Sequence, residues 1–218
     1  MTAPASKTHS QHRDSRETIL SVASEIFAER GYEAATIKEI TDRAGVNVAS
    51  VNYYFRDKLG LYTEVLRRSV HDGRLSLPPE SAGLTPEERL GRYIESFMRS
   101  ILAVGRPSWC GRLMIRELAQ PTPALPQIVE DIMRPNFYLM RQLVADVAGA
   151  PMDHETLRLL TYSVIAQCCY WKFAQPILPH LWPEMNFDEE TVRRIAGQVA
   201  AFSTAAIRAA VAKEACAP

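Results

Sequence analysis

The stretch Ala44-Gly45-Val46-Asn47-Val48-Ala49-Ser50-Val51-Asn52-Tyr53-Tyr54-Phe55 constrains the fold of this chain more than any other. Gly45 suits the left-handed conformation that stops a helix, and Asn47 is a good acceptor for the free amides that begin the next. Upstream, Thr36-Ile37-Lys38-Glu39 has capping-box spacing and opens the first of the two helices. Two short helices about a tight turn form the pattern that places a helix in the DNA major groove. The same pair also serves as a plain packing unit, so spacing alone leaves both readings open.

The flanking segments read as helices that would support this pair. Residues 1–13 are polar and carry Lys7, His9, His12 and Arg13, and are expected to form a disordered arm. Such an arm is either a solvated tail or a strand for a DNA minor groove. Asp14 and Glu17 have cap and N3 spacing, and Ile19, Val22, Ala23, Ile26 and Phe27 then recur at helical period up to Gly31. Ile37, Ile40 and Ala44 supply the inner face of the second helix, and Val51, Tyr54 and Phe55 that of the third. Asp57 caps a fourth, with Leu59, Tyr62, Val65 and Leu66 as its buried stripe. These segments make up an expected DNA-binding domain over residues 14–74.

Pro78, Pro79, Ser81 and Gly83 mark a loop and a domain boundary. Thr85-Pro86-Glu87-Glu88 then combines an N-cap, a first-turn proline and a carboxylate at N3. Further helices are expected over 109–119, over 126–148 with a kink at Pro135, and from the cap Asp153 to Phe173. Asp188 caps the last, with Val192, Ile195, Val199, Phe202, Ala206 and Ala210 as its apolar face. No segment reads as a strand and no repeat recurs at fixed period. The expected fold is all-α: a three-helix head, a connecting fourth helix, and a helical body over residues 84–213.

Composition narrows the partners. With 25 basic and 25 acidic residues among 218, the formal charge is zero, so any DNA contact must come from a local patch. The four cysteines, Cys110, Cys168, Cys169 and Cys216, form no CxxC pair, and a core of this size needs no disulfide scaffold. Adjacent Cys168 and Cys169 point about 100° apart on a helix and suit neither a shared metal nor a disulfide. No metal-ligand spacing is present, and no cofactor is expected. Nucleophile elbow, phosphate-binding Gly-rich loop and HExxH are all missing, which argues against an enzyme. Neither a secretory signal nor an uninterrupted apolar run of membrane length stands out, so a cytoplasmic protein without a membrane partner is expected.

Three stretches resemble TetR-type transcriptional regulators: Ile19 to Gly31 (ILSVASEIFAERG), Thr36 to Gly45 (TIKEITDRAG) and Val51 to Leu61 (VNYYFRDKLGL). The resemblance covers roughly the first 65 residues. It implies an N-terminal helix-turn-helix head and a helical body that binds small ligands and dimerises. Asn52 and Ala49 depart from the tyrosine and glycine that many members carry there, so base contacts of other members do not transfer. The Val-Asn-Tyr-Tyr-Phe run, with Ala166-Gln167-Cys168 and the length of the body, resembles a subgroup with its own C-terminal domain type.

With Val51, Tyr54 and Phe55 inward, Ala49, Ser50, Asn52 and Tyr53 are left to face base edges. Asn52 is the leading reader, because a carboxamide can bond both N6 and N7 of adenine. Thr36, Lys38, Tyr53 and Lys58 are expected on phosphates, and Arg56 is either on a phosphate or merely solvated; for Lys58 the role follows from the family resemblance. One head covers half a site, which predicts a homodimer on a palindromic operator. Tyr162, Val199, Phe202, Ala206 and Ala210 are the expected dimer contacts, on the last two long helices that the resemblance assigns to dimerisation. An apolar or aromatic small molecule is expected among Phe97, Trp109, Arg112, Arg116, Phe137, Tyr138, Tyr162, Gln167 and Trp171, with Arg112 and Arg116 one turn apart as an anion clamp. The functional expectation is a repressor released from DNA by that ligand; an activator of the same fold and an architectural DNA-binding protein are the alternatives.

Overall fold

A computed structural model describes residues 6–71, 83–102, 104–105 and 107–215, and the described residues contain helices and no strand. The chain forms two compact units, one of residues up to His71 with Pro107–Glu130, the other of Asp72–Arg106 with Asp131–Pro218.

The first unit holds α1 (Ser6–Ala34), α2 (Ile37–Ala44), α3 (Val48–Phe55), α4 (Lys58–His71), α6 (Ser108–Ala119) and α7 (Leu125–Ile128). Helix α1 starts at Ser6 rather than Asp14, so the expected arm is helical from Ser6 onward. The amides near Asp14 already have helical partners, and a cap is redundant there. Gly31 (φ 80°, ψ 175°) breaks the helical path, as its position after the apolar stripe predicts. Ile19, Ala23, Ile26 and Phe27 from α1 meet Ile40 from α2, Val51 and Phe55 from α3, and Leu61, Tyr62, Val65 and Leu66 from α4 in one buried core. Leu61 takes the fully buried place expected for Leu59, which is only half-buried.

Helices α6 and α7, placed in the body by the sequence, belong to this first unit. Cys110, Leu113 and Glu117 form the buried face of α6, which packs on α1 and α4. A linker signal at 77–83 says where the chain leaves the head; it cannot say that a later segment returns. Most of that linker lies outside the described residues.

The second unit holds α5 (Pro86–Ile101), α8 (Arg134–Ala148), α9 (His154–Phe173), α10 (Leu178–Leu181) and α11 (Glu189–Ala215). Thr85 and Glu88 make the complete capping box, each side chain bonded to the other's backbone amide at 3.2 and 2.8 Å. Asp153 caps α9 through the amides of Glu155 and Thr156, both at 2.9 Å. Asp188 likewise takes the Thr191 amide at 2.8 Å ahead of α11. The helix expected over 126–148 runs without a break from Leu125 to Ala148, as α7, a π-helical turn over Val129–Met133, and α8, so the distortion expected at Pro135 takes the form of a π turn just before it. Pro135 lies two residues past that turn, where the helix already departs from the α-helical ladder that its missing N–H cannot continue. Leu90, Ile94 and Met98, Leu143 and Val144, Val164 and Cys168, with Val192, Ile195, Val199 and Ile207, interlock as the core. Burial raises the Cys168 thiol to about 12, so it stays protonated and behaves as a small apolar side chain.

Helix α11 is long and apolar enough, by length and composition, to cross a membrane. Yet Val192, Ile195, Ala196, Val199, Ser203 and Ile207 along it are buried in the unit's own core. Only 28% of its most apolar window is buried, so a second apolar face lies uncovered. Val199, expected at the dimer contact with Phe202, is instead 5% exposed and packed in the core, whereas Phe202 is 61% exposed and faces out. The expected stripe therefore divides into two faces, because residues three apart at the edge of a stripe diverge by more than half a right angle over a 3.6-residue turn.

Candidate nucleic-acid interface

Local caps hold α2 and α3 in place. The Thr36 hydroxyl accepts the Glu39 amide at 3.2 Å. The Glu39 carboxylate does not complete the capping box, because Arg30 holds it at 3.0 Å and ties α2 to α1. Gly45 closes α2 in the left-handed conformation (φ 67°, ψ 30°), and its amide bonds the Asp42 and Thr41 carbonyls. Asn47 Oδ1 then accepts the Ala49 amide at 2.9 Å and starts α3. Thr41 is fully inside, its hydroxyl bonded to the Ile37 and Lys38 carbonyls at 3.0 Å each.

With α3 so placed, Val51 is 0% and Phe55 5% exposed, and Tyr54 is half-buried. Ala49, Asn52 and Tyr53 are exposed and Ser50 half-exposed, so the four residues expected to read bases share the outer side of one helix. Tyr53 reaches furthest, at 76% exposure, with its ring edge-on to Tyr54 at 4.9 Å. Lys38 is exposed on α2 near Thr36. Lys58 is more engaged than the sequence suggests: its Nζ donates to the Glu33 carbonyl at 3.2 Å and lies 4.6 Å from the centre of the Tyr32 ring. It thereby caps the chain end of the α1 segment, with donors still available for an anion.

Behind this surface a polar network, unseen in the sequence, joins α6 to α1 and α4. The buried Glu117 carboxylate accepts from the Tyr62 hydroxyl at 2.8 Å and from the Thr122 amide and hydroxyl at 3.0 Å each. Burial, then the bond to Glu117, pushes the Tyr62 hydroxyl well above its ordinary pKa, so Tyr62 remains a donor. Next to it, Arg116 donates to the Ala28 and Glu29 carbonyls at 3.3 and 3.1 Å, closing the end of α1. Its guanidinium would stand 3.2 Å from a Cβ at Gly31, so the glycine leaves room for the clamp. Arg116 therefore serves as a helix cap rather than as half of an anion clamp with Arg112, which is exposed. No motif joins residues 55 positions apart in sequence, so only the fold reveals Tyr62 with Glu117.

The residues expected around a ligand divide between the units. Trp109, Arg112 and Arg116 lie on α6 in the first; Phe97, Phe137, Tyr138, Tyr162, Gln167 and Trp171 lie in the second. There Phe137 has Tyr162 at 5.1 Å and Tyr138 at 5.9 Å between ring centres. Phe97 and Trp171 pack half-buried on the core. Gln167 reaches Ser203 on α11 at 3.4 Å. Tyr162 is 55% exposed, Ala206 and Ala210 half-exposed.

A capped helix pair closed by a left-handed glycine, with polar side chains on its outer face, places the chain in the helix-turn-helix class of regulators. Residues 19–65 match the model of bacterial regulatory proteins of the tetR family. Residues 86–207, more than half of the chain, match the C-terminal domain of the HTH-type transcriptional dual regulator CecR. The chain belongs to the TetR family of regulators. Among its relatives is the transcriptional activator FasR of Mycolicibacterium smegmatis, 41% identical over 39% of this chain and 40% of that protein. The transcriptional repressor KstR2 of the same organism is 33% identical over 43% of this chain and 46% of that protein. The match to each of these two relatives spans less than half of that protein's length. The crystal structure of HlyIIR, a hemolysin II transcriptional regulator, superposes with a TM-score of 0.60 at 24% identity, covering 86% of this chain and 97% of that one, and shows the shared fold.

Proposed function

We propose that this chain is a sequence-specific, DNA-binding transcriptional regulator of the cytoplasm, a repressor released from a palindromic operator by a small molecule. The observation that carries this reading is α3, which buries Val51 and Phe55 while offering Ala49, Ser50, Asn52 and Tyr53 outward. Asn52 would bond an adenine edge, Ser50 a base or phosphate, Ala49 a thymine methyl, and Tyr53 a base or the sugar–phosphate backbone. Thr36 at the start of α2, with Lys38 and Lys58, would hold phosphates on either side. FasR favours activation as a second reading, since the relatives include an activator and repressors.

Two copies would pair through the uncovered apolar faces of α9 and α11. Leu159, Tyr162 and Phe202 are each more than half exposed there, and Ala206 and Ala210 offer close approach. A twofold contact of this kind matches a palindrome. The effector would be apolar or aromatic, bound by the second unit near Phe97, Phe137, Tyr162 and Trp171, and would act only by preferring one state of the dimer over the other.

Selection from a random duplex library tests the reading. The expected product is a palindrome with half-site centres about 34 Å apart, or a multiple of that. Failure to enrich any sequence would contradict it.

A further inference from the structure

Only Arg56 and Asp57 separate α3 from α4, and the junction is tight. A Cβ on Gly60 would stand 2.0 Å from the Phe55 carbonyl oxygen, so the end of α3 lies directly against the α4 backbone. Asp57 Oδ1 is committed to the Gly60 amide at 2.7 Å. Arg56 absorbs the reversal with φ 73° and ψ −50°, and among the described residues it is the one non-glycine with positive φ. Glycine would take this conformation without the Cβ penalty, so an arginine here points to a use for its side chain.

That side chain is exposed and lacks a partner among the described residues. Other arginines of the first unit are engaged. Arg30 pairs with Glu39, Arg43 with Glu25, and Arg16 with Glu64 while lying 5.2 Å over the Phe55 ring. Lys58 places one of its donors on the Glu33 carbonyl and covers Tyr32, with donors left for an anion. At the α3–α4 junction Arg56 is the cation without an intramolecular partner among the described residues. A chain of zero net charge that leaves one guanidinium unpaired beside an outward-facing recognition helix has placed it for an external anion.

We propose that Arg56 is a phosphate-contacting residue whose guanidinium holds the DNA backbone beside α3, aimed by the strained turn that carries it. The proposal rests on the reading of α3 as a DNA-reading helix. A merely structural role at a helix end would show in stability; a phosphate contact shows in DNA affinity and its salt dependence, equally on all sequences.

The test uses the full chain with a duplex that the wild type selects from a random library and a scrambled duplex of equal length. Arg56→Gly is expected to melt no lower than wild type. It should lose about tenfold affinity on both duplexes and lower the log–log salt slope by about 0.9 per copy bound. Arg56→Gln, which keeps the Cβ, should show the same loss, and Arg56→Lys should restore the slope. Unchanged affinity and slope in the Gly and Gln variants overturn the proposal, as does a loss confined to the selected duplex, which would make Arg56 a base reader. If the wild type selects no duplex, the DNA-reading assignment of α3 fails and this proposal with it.

Discussion

Helices α3 and α11 each bury one stripe and leave another uncovered, but what they leave uncovered differs in kind. Outside α3 lie a carboxamide, a phenol and, just past its end, an unpaired guanidinium. Outside α11, between Arg193, Arg194 and Gln198 on one side and Arg208 on the other, lie alanines and Phe202. A groove with hydrogen-bonding edges matches the first, and a second apolar face matches the second. The two surfaces are built to fail differently when mutated: α3 variants should alter which DNA is bound, and α11 variants whether two heads are held together.

The sharpest way to break the contrast is at the α3–α4 junction. Gly60→Ala forces a Cβ onto the Phe55 carbonyl. It should cost about 3 kcal/mol or more, since backbone rather than a flexible side chain must move. Thermal melting would check this, with binding lost alongside stability. Phe202→Glu should leave melting of the separate protomer nearly unchanged while weakening self-association by about 2–4 kcal/mol, read by sedimentation. Unaltered sedimentation would put the dimer contact elsewhere.

Smaller effects separate the units further. Tyr62→Phe removes one donor from the buried Glu117 carboxylate and should cost about 1–2 kcal/mol in the first unit. At the caps, the Thr156 amide at Asp153 and the Thr191 amide at Asp188 hold both carboxyls below the usual range. A lowered folded pKa means that each contributes stability above the unfolded value of about 3.9, and loses it as pH falls through the folded value. Asp153→Asn, which caps without titrating, should therefore flatten the acid limb of the melting curve; an unchanged limb would argue against the cap.

The sequence made most caps legible, since Thr85, Asp153, Asp188, Asn47 and Gly45 act over three or four residues. Signals of that range miss what arrives from elsewhere. Glu39 was drawn away by Arg30, and α6 returned to the head to supply Arg116 and Glu117. On α11 the periodicity showed that the helix is apolar but could not divide Val199 from Phe202, because both faces are apolar. The outer side of α3 was legible for the opposite reason: its inner and outer residues differ in polarity. Arg56 was legible as a basic residue beside α3, on a phosphate or solvated, but the left-handed turn that carries it shows only in the φ angle.

The proposed function depends most on Asn52 reading bases from α3. Asn52→Ala, measured on a wild-type-selected duplex and on a scrambled one at the same salt, tests it most directly. The free energy that separates the two duplexes is expected to shrink by about 1–3 kcal/mol, while binding to the scrambled duplex is kept. An unchanged ratio would contradict it.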